Sequence, residues 1–201
     1  AVNGVGLVKL MGREAGFITV AATIASGEVN FALIPEVPFT LDGKNGLLAC
    51  LERRVAARGH SVVVVAEGAG QELLPAGPET VDASGNRKLG DIGTFLKKQI
   101  VEHFAKRSLP VDVKYFDPSY HIRSCPAYAV DSTLCEQFAR YAAHAGMAGK
   151  TDLLIGTIHG EFIHVPLTAA FKKKRVQPEG EWWTMVKAIT GQDKWAEAAN
   201  C

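Results

Sequence analysis

The sequence has almost no net charge, few cysteines and no long apolar run. Its 201 residues include 22 Lys and Arg against 21 Asp and Glu, a formal net charge of +1. There is therefore no long-range basic field for nucleic acid, and any recognition of anions must be local. The cysteines show no C-x-x-C spacing, which disfavours a disulfide framework or a zinc site and fits a reducing compartment. Since no apolar run approaches the length of a membrane span, we expect neither nucleic acid nor a membrane as partner.

The first residues give no start signal. Ala1 to Gly4 contain neither an initiator Met nor a signal-peptide pattern, and the chain enters an apolar strand almost at once. Natural domains seldom begin with an unprotected buried element. We therefore expect that a further portion of the protein precedes Ala1.

Short β-branched runs alternate with segments of helical periodicity. The pattern predicts strands at 5–10, 30–35, 61–66 and 111–116, helices at 16–25, 46–58, 91–107 and 129–145, and a hairpin of 153–158 with 161–165. In the last helix, Leu134, Phe138 and Tyr141 are expected to form the buried face. The predicted fold class is α/β, a layered, Rossmann-like and mostly parallel sheet with helices on both faces.

Polar residues follow each predicted strand, where ligands of such sheets collect. The four loops are 11–13, 35–36, 67–71 and 117–123. The first turns through a glycine into a helix, which would leave backbone N–H groups open to an anion beside Arg13. Basic, hydroxylated and carboxylate side chains in these loops can hold a phosphate and sugar hydroxyls. They predict a sugar-phosphate pocket.

Four ordered motifs carry a family resemblance. The segments 8–17 (VKLMGREAGF), 33–39 (LIPEVPF), 65–71 (VAEGAGQ) and 115–124 (YFDPSYHIRS) resemble phosphofructokinases, in the branch with plant, algal and trypanosomatid enzymes. The resemblance covers only the second half of such an enzyme. It implies a sugar-phosphate-binding α/β domain over 1–170 and a C-terminal tail, 171–201, that packs on the missing first lobe. Trp182 and Trp183 in that tail would then be partly exposed.

The resemblance also assigns roles at the first and third loops. Met11 and Gly12 would line the fructose ring, Arg13 would face the transferred phosphoryl group as the catalytic cation, and Glu67 would accept hydrogen bonds from the sugar hydroxyls. Read without the family, Arg13 could simply cap a turn. Glu67 could be a solvated acid at a strand end.

Three further residues match the family's 6-phosphate site. These are Lys114, Tyr120 and Arg123, and the group matched by Lys114 usually reaches across a subunit interface, which implies a homo-oligomer (a tetramer in the family). Without the family, Lys114 reads as a solvated strand residue and Tyr120 as a core aromatic.

The implied activity is transfer of a phosphoryl group from ATP to the 1-hydroxyl of fructose 6-phosphate, giving fructose 1,6-bisphosphate in glycolysis. The family's Thr-Ile-Asp-Asn-Asp segment, which supplies the aspartate base and helps to hold Mg²⁺, is not in this sequence, so no metal ligand is assigned here. We expect Mg²⁺ to be bound by the missing N-terminal half of the enzyme, and the isolated chain to be inactive without that half. Alternatives are pyrophosphate as donor, a non-catalytic sugar-phosphate-binding fragment or regulatory subunit, and a structural partner with a vestigial pocket. The expected location is the cytoplasm, or a plastid if a transit peptide preceded the chain.

Overall fold

The computed structural model describes residues 4–75, 81, 85, 88–170 and 174–193. The chain divides into two compact units, the first formed by the chain up to Ile122 and from Arg175 onward, the second by Arg123–Lys174. Residues 171–173 and 194–201 of the predicted tail lie outside the described residues. The domain boundary at residue 170 stays a prediction.

The first unit contains a four-stranded sheet in the order β2-β3-β1-β4. The strands are β1 (Gly4–Leu10), β2 (Phe31–Leu33), β3 (His60–Ala66) and β4 (Asp112–Phe116), and every neighbouring pair is parallel. Leu10 lies opposite Ala66, so the two central strands end at the same level. The predicted parallel sheet is confirmed. The strand predicted at 30–35 is shorter in the structure, Phe31–Leu33. Pro35 has no N–H to donate to a neighbouring strand, and at Asn30 the side-chain Oδ1 accepts the hydrogen bond from the Val62 amide.

Helices cover both faces of this sheet, as predicted. On one face, α2 (Leu47–Arg58) and α3 (Ile92–Lys106) enclose a core with Val5, Leu7 and Val63. On the other face, α1 (Phe17–Ser26) and α7 (Glu181–Thr190) enclose a core with Val20 and Trp183. Each core follows from the helical spacing of the apolar residues.

The predicted partial exposure of Trp182 and Trp183 is confirmed for Trp182 and wrong for Trp183. Trp183 is buried in the second core, whereas Trp182 is 52% exposed and meets Phe17 edge to face, with ring centroids 6.4 Å apart. The packing of α7 on α1 shows a partner for the tail within the first unit. Its expected packing on a further lobe stays a prediction.

The second unit consists of α5 (Ala129–Met147), the hairpin of β5 (Leu153–Ile158) with β6 (Glu161–Pro166), and α6 (Leu167–Ala170). The predicted hairpin is confirmed, and its two turn residues, His159 and Gly160, have φ angles of 51° and 84°, as a two-residue turn requires. No helix among the described residues has the length and apolar content to cross a membrane.

The predicted buried face of α5 is wrong in two of its three positions. Leu134 is 41% and Tyr141 45% exposed, and Phe138 is only half-buried. Phe138 and Tyr141 contact Phe162 of β6, with centroids 5.2 and 4.7 Å from its ring. Since a two-stranded sheet is too small to cover a long helix, the apolar spacing alone does not bury these residues.

Candidate functional site

The loop after β1 has a backbone conformation that favours glycine. Gly12 has a φ of +142°, which side chains with a Cβ rarely adopt. A Cβ atom here would also lie 2.7 Å from the carbonyl oxygen of Ala15. The chain therefore turns tightly between Met11 and Arg13, and Arg13 is exposed beyond the carboxyl end of β1.

The loop after β3 lies directly against the loop after β1. The Glu67 amide donates to the carbonyl of Leu10 (2.9 Å) and the Gly68 amide to the carbonyl of Gly12 (3.0 Å). A Cβ atom at Gly68 would overlap the carbonyl oxygen of Arg13. Backbone pairing between β1 and β3 thus continues past the strands and brings Arg13 and Glu67 to neighbouring positions at one edge of the sheet.

The side chain of Gln71 stabilises the second loop. Its Nε2 donates to the Glu67 carbonyl (2.7 Å) and to the Gly90 carbonyl (3.1 Å), while its Oε1 accepts from the Gly90 amide (3.0 Å). Because the carboxamide uses both its donor and its acceptor groups, the main chain of Glu67 is tied to the segment before α3. The half-buried Glu67 side chain therefore starts from a defined backbone.

A charge network lies next to these loops. Lys9, whose side chain is 17% exposed, places its Nζ 2.8 Å from Asp117 Oδ2 and 3.4 Å from Asp91 Oδ1. Asp91 caps α3 by accepting from the amides of Gly93 and Thr94, each at 3.2 Å. The network therefore joins β1, the N-terminus of α3 and the residue that follows β4.

The three ionic groups of the network stabilise one another's charged forms. Burial alone would lower the pKa of Lys9, but the hydrogen bond to Asp117 and the negative charges around it raise that pKa well above its usual range. Burial would raise the pKa of Asp117, yet hydrogen bonds from Lys9 and Ser119 lower it overall. For Asp91, hydrogen bonds from Thr94 and the charge of Lys9 likewise outweigh burial and lower the pKa. All three groups are charged at neutral pH.

The predicted open cluster of amides at the start of α1 is wrong at its first position. The amide of Gly16 donates to both oxygens of Glu36, each at 3.0 Å, so this protein's own carboxylate occupies that end of the helix. Glu36 Oε1 also accepts from the amide of Val176 at 2.9 Å. Glu36 therefore links the loop after β2, the start of α1 and the returning tail.

The three residues predicted for the 6-phosphate differ in their positions in the fold. Lys114 lies opposite Gly6 in the sheet, before the end of β4, and its exposed Nζ contacts Asp112 at 2.9 Å. Tyr120 is 82% exposed, which excludes a core role within the chain. It lies on a short helix, α4 (Ser119–Ser124), whereas Arg123, later in the same helix, belongs to the second unit. Their roles stay predictions.

Sequence reasoning missed Lys9, Asp91 in its charge-pairing role, and Gln71. The signal for Lys9 was present, since a lysine inside a buried parallel strand needs a counter-charge. No sequence signal identified its partners, because Asp91 is 82 positions away in the chain. Gln71 likewise acts through main-chain groups that no side-chain pattern reveals.

A cavity of the first unit lies away from the two paired loops. It has a volume of about 490 Å³, is lined by α2, α3 and the loop before α2, and does not include Arg13 or Glu67. Among the described residues, no three His, Cys, Asp or Glu side chains approach closely enough to hold a metal ion.

The chain has a parallel sheet with helices on both faces, and its central strands end in two paired loops that bear a cation and a carboxylate. This arrangement is typical of α/β domains that bind a small polar ligand at the carboxyl edge of the sheet. Comparison with known proteins gives the particular family. The family model described as Phosphofructokinase matches residues 1–146, and the chain belongs to this family.

Curated relatives carry matching names. An ATP-dependent 6-phosphofructokinase from Amycolatopsis methanolica is 47% identical over 197 residues, covering 94% of this chain and 43% of the relative. ATP-dependent 6-phosphofructokinase 5, chloroplastic, from Arabidopsis thaliana is 42% identical over 193 residues, covering 96% and 36%. The Trypanosoma brucei brucei enzyme is 42% identical over 191 residues, covering 93% and 38%. The chain thus spans less than half the length of these relatives, and the predicted family resemblance is confirmed.

Solved structures show the same fold. A pyrophosphate-dependent phosphofructokinase from Marinobacter aquaeolei has a TM-score of 0.65 at 18% identity, covering 92% of this chain and 47% of that chain. The phosphofructokinase of Saccharomyces cerevisiae has a TM-score of 0.58 at 21% identity, covering 97% and 22%. At these identities the likeness supports the α/β fold and nothing about the phosphoryl donor.

Proposed function

We propose that this chain supplies the fructose 6-phosphate half of the active site of an ATP-dependent 6-phosphofructokinase. The enzyme would transfer the terminal phosphoryl group of ATP to the 1-hydroxyl of the sugar, giving fructose 1,6-bisphosphate. The observation that carries the proposal is the bond from the Gly68 amide to the Gly12 carbonyl. Through this bond the backbones of Arg13 and Glu67, one residue cationic and the other anionic, lie at adjacent positions at the carboxyl edge of the sheet.

The two side chains suit different parts of the reaction. In phosphoryl transfer, negative charge spreads over the equatorial oxygens of the moving group, and a fixed guanidinium stabilises it. Arg13 takes that role. Glu67 accepts hydrogen bonds from sugar hydroxyls, and the close turn at Gly12 lets the backbone of Met11 and Gly12 approach the fructose ring.

The sugar 1-hydroxyl would attack the terminal phosphorus of ATP while the bond to the ADP oxygen breaks. The hydroxyl proton would pass to the aspartate that the family carries in its first half. When bound, Mg²⁺ would neutralise charge on the donor phosphates, and we expect its ligands in that same half. ATP is the donor in the names of the curated relatives, and this favours ATP over pyrophosphate.

We assign the 6-phosphate to Tyr120 and Arg123, as the family resemblance implies, and to Lys114 acting on a neighbouring subunit. Lys114 lies on the edge strand β4 with its side chain 80% exposed, which supports such an outward role in a homo-oligomer, a tetramer by analogy with the family. We propose the cytoplasm as location, with a plastid as the alternative, since one Arabidopsis relative is named chloroplastic.

Calorimetric titration of the 201-residue chain with fructose 6-phosphate tests the binding part of the proposal. We expect saturable binding, weakened by about 10- to 100-fold in Glu67→Ala, because a charge-assisted hydrogen bond contributes about 1.5–3 kcal/mol. Lys98→Ala is the matched control, since Lys98 is exposed on α3 and pairs only loosely with Glu102, at 3.9 Å. Absence of fructose 6-phosphate binding, with the chain folded, would contradict the proposal.

Turnover tests the catalytic part. The chain combined with the first half of a phosphofructokinase, or the full-length protein, should form fructose 1,6-bisphosphate with ATP, and the chain alone should not. Arg13→Ala should lower kcat by about 100-fold or more, as removal of one stabilising donor does in other enzymes. Greater activity with pyrophosphate than with ATP would overturn the choice of donor. Binding without any turnover by the full-length protein would favour the non-catalytic alternative.

A further inference from the structure

Lys9 occupies an unusual position for a charged side chain. It lies in β1, flanked by β3 and β4, and points to the face that carries Val5 and Leu7, where α2 and α3 pack. Lysine is seldom placed in such a strand, because burial of an ammonium group is costly unless carboxylates surround it. A role that depends on its charge is therefore to be expected.

The ammonium group of Lys9 holds two carboxylates that come from different elements. Asp117 is the first residue after β4, and Asp91 caps α3. The Tyr115 hydroxyl also donates to Asp91, at 3.5 Å. Without the positive charge, Asp91 and Asp117 would face each other as two negative charges in a partly buried setting.

Asp117 in turn determines how α4 begins. Its Oδ1 accepts from the Ser119 amide at 3.2 Å and from the Ser119 hydroxyl, and the first helical bond runs from the Ile122 amide to the Pro118 carbonyl at 2.8 Å. A helix of six residues is too short to be stable without such an anchor. Tyr120 is the second residue of this helix.

We propose that Lys9 is a positioning residue, which fixes Asp117 and thereby the start of α4, so that Tyr120 is presented in one orientation to the phosphate of the substrate. This inference rests on the proposed function. Lys9 does not itself contact the ligand, because its ammonium group is committed to the two aspartates. Tyr120 would bind the substrate phosphate, and the position of its backbone would depend on the ion pair between Asp117 and Lys9 of β1.

Hydrogen exchange on the 201-residue chain tests the first step. Lys9→Met removes the charge and keeps the length of the side chain, and Lys98→Met is the exposed control. We expect amides of 117–122 to exchange about tenfold faster in Lys9→Met, with β3 unchanged. Lys9→Arg, which keeps the charge, should restore slow exchange. Unchanged exchange at 117–122, or an equal acceleration in β3, would overturn the proposal.

Calorimetry with fructose 6-phosphate tests the second step. Lys9→Met should raise the Kd by about tenfold or more, because a small misplacement of a binding group is enough for such a loss, and Lys9→Arg should recover most of the affinity. If the wild-type chain binds no fructose 6-phosphate, the proposed function fails, while the exchange experiment still decides whether Lys9 orders the loop. A wild-type Kd in a well-folded Lys9→Met would overturn the positioning role.

Asp117→Ala serves where Lys9→Met does not fold. It leaves Lys9 and Asp91 paired and removes the oxygen that accepts from Ser119 at the start of α4. The same local acceleration at 117–122 and the same loss of fructose 6-phosphate affinity are expected. Slow exchange in a folded Asp117→Ala would overturn the proposal.

Discussion

At the scale of single residues, the candidate site depends on two glycines, Gly12 and Gly68, which have no Cβ atom. The backbone of the loop after β1 approaches Gly68 so closely that no Cβ fits, and Gly12 adopts a positive φ. The sequence motifs contain both glycines, and a close approach of Gly12 to the sugar was expected from the family. That Gly68 contacts the other loop could not be foreseen, because the contact is between backbone atoms and leaves no pattern of side-chain types.

Gly68→Ala should destabilise the chain and weaken the site together. The added methyl group would overlap the Arg13 carbonyl, so the two loops must separate, at a cost of about 1–3 kcal/mol in the free energy of unfolding. Urea denaturation measures that cost, and titration with fructose 6-phosphate measures the loss of affinity. Gly146→Ala is the control, since no heavy atom lies within 4 Å of a Cβ at that helical position, and it should stabilise by up to about 1 kcal/mol.

The pH dependence of stability should reflect the charges around Lys9. The lowered pKa values of Asp91 and Asp117 mean that their stabilisation is present above the unfolded value of about 3.9 and is lost as pH falls through the folded values. The raised pKa of Lys9 means that its stabilisation is present below about 10.4 and is lost as pH rises through the folded value.

The difference in free energy of unfolding between wild type and Lys9→Met should therefore be constant from about pH 5 to pH 9 and shrink below about pH 4. Urea denaturation of both proteins at these pH values, including values below about 4, measures this difference. A difference that changes between pH 6 and pH 7 would contradict this account and indicate a histidine in the network.

At the scale of elements, most of the first unit was predictable. The apolar runs of β1 and β3, the spacing in α2 and the Asp91 cap of α3 each carry a local signal, and each element lies within two residues of its predicted bounds. Helix α4 was missed, because its six residues have no apolar periodicity and depend on Asp117. The burial predicted for α5 failed since helical spacing shows which face is apolar but not whether anything covers it.

Glu36 illustrates how one side chain connects three elements. Glu36→Ala would leave the amides of Gly16 and Val176 without their charged acceptor, and we expect a loss of about 2–3 kcal/mol in the free energy of unfolding. Glu36→Gln keeps one acceptor oxygen and should lose less. Thermal and urea denaturation measure both variants, with the exposed Glu28→Ala expected within about 0.5 kcal/mol of wild type. Equal stability of all three variants would contradict the linking role.

At the scale of the whole molecule, the two units differ in how much core they contain. The first unit holds both large apolar clusters, whereas the described part of the second packs one long helix against a two-stranded sheet and buries little beyond Ala145. A hairpin of this kind is marginally stable by itself. The units should therefore differ in local stability.

Native-state hydrogen exchange should show that difference directly. Amides of β1 and β3 should exchange about a hundredfold more slowly than those of β5 and β6, which corresponds to about 2.7 kcal/mol of opening free energy. The comparison is made within one sample of the 201-residue chain, so solution conditions are identical for both units. Equal protection in the two sheets would show that the second unit is stabilised by interactions other than its own core.

The family was accessible from four short motifs, while the arrangement that supports the candidate site was not. Arg13 and Glu67 stand beside glycines in recognisable segments. Lys9 and Asp91 act through charge pairing between distant parts of the chain, and such pairing is decided by the fold. Sequence thus indicates which groups could meet the ligand, and the structure adds the groups that hold them.

The spacing of the two loops is determined by hydrogen bonds between peptide groups, which every amino acid except proline can form in full. Substitutions at positions 11, 13 and 67 can therefore alter what the edge of the sheet offers to a ligand and leave the spacing as it is. Exchange of a few side chains could thus adapt the same frame to other ligands. Loss of Gly12 or Gly68 would instead remove the frame for all of them.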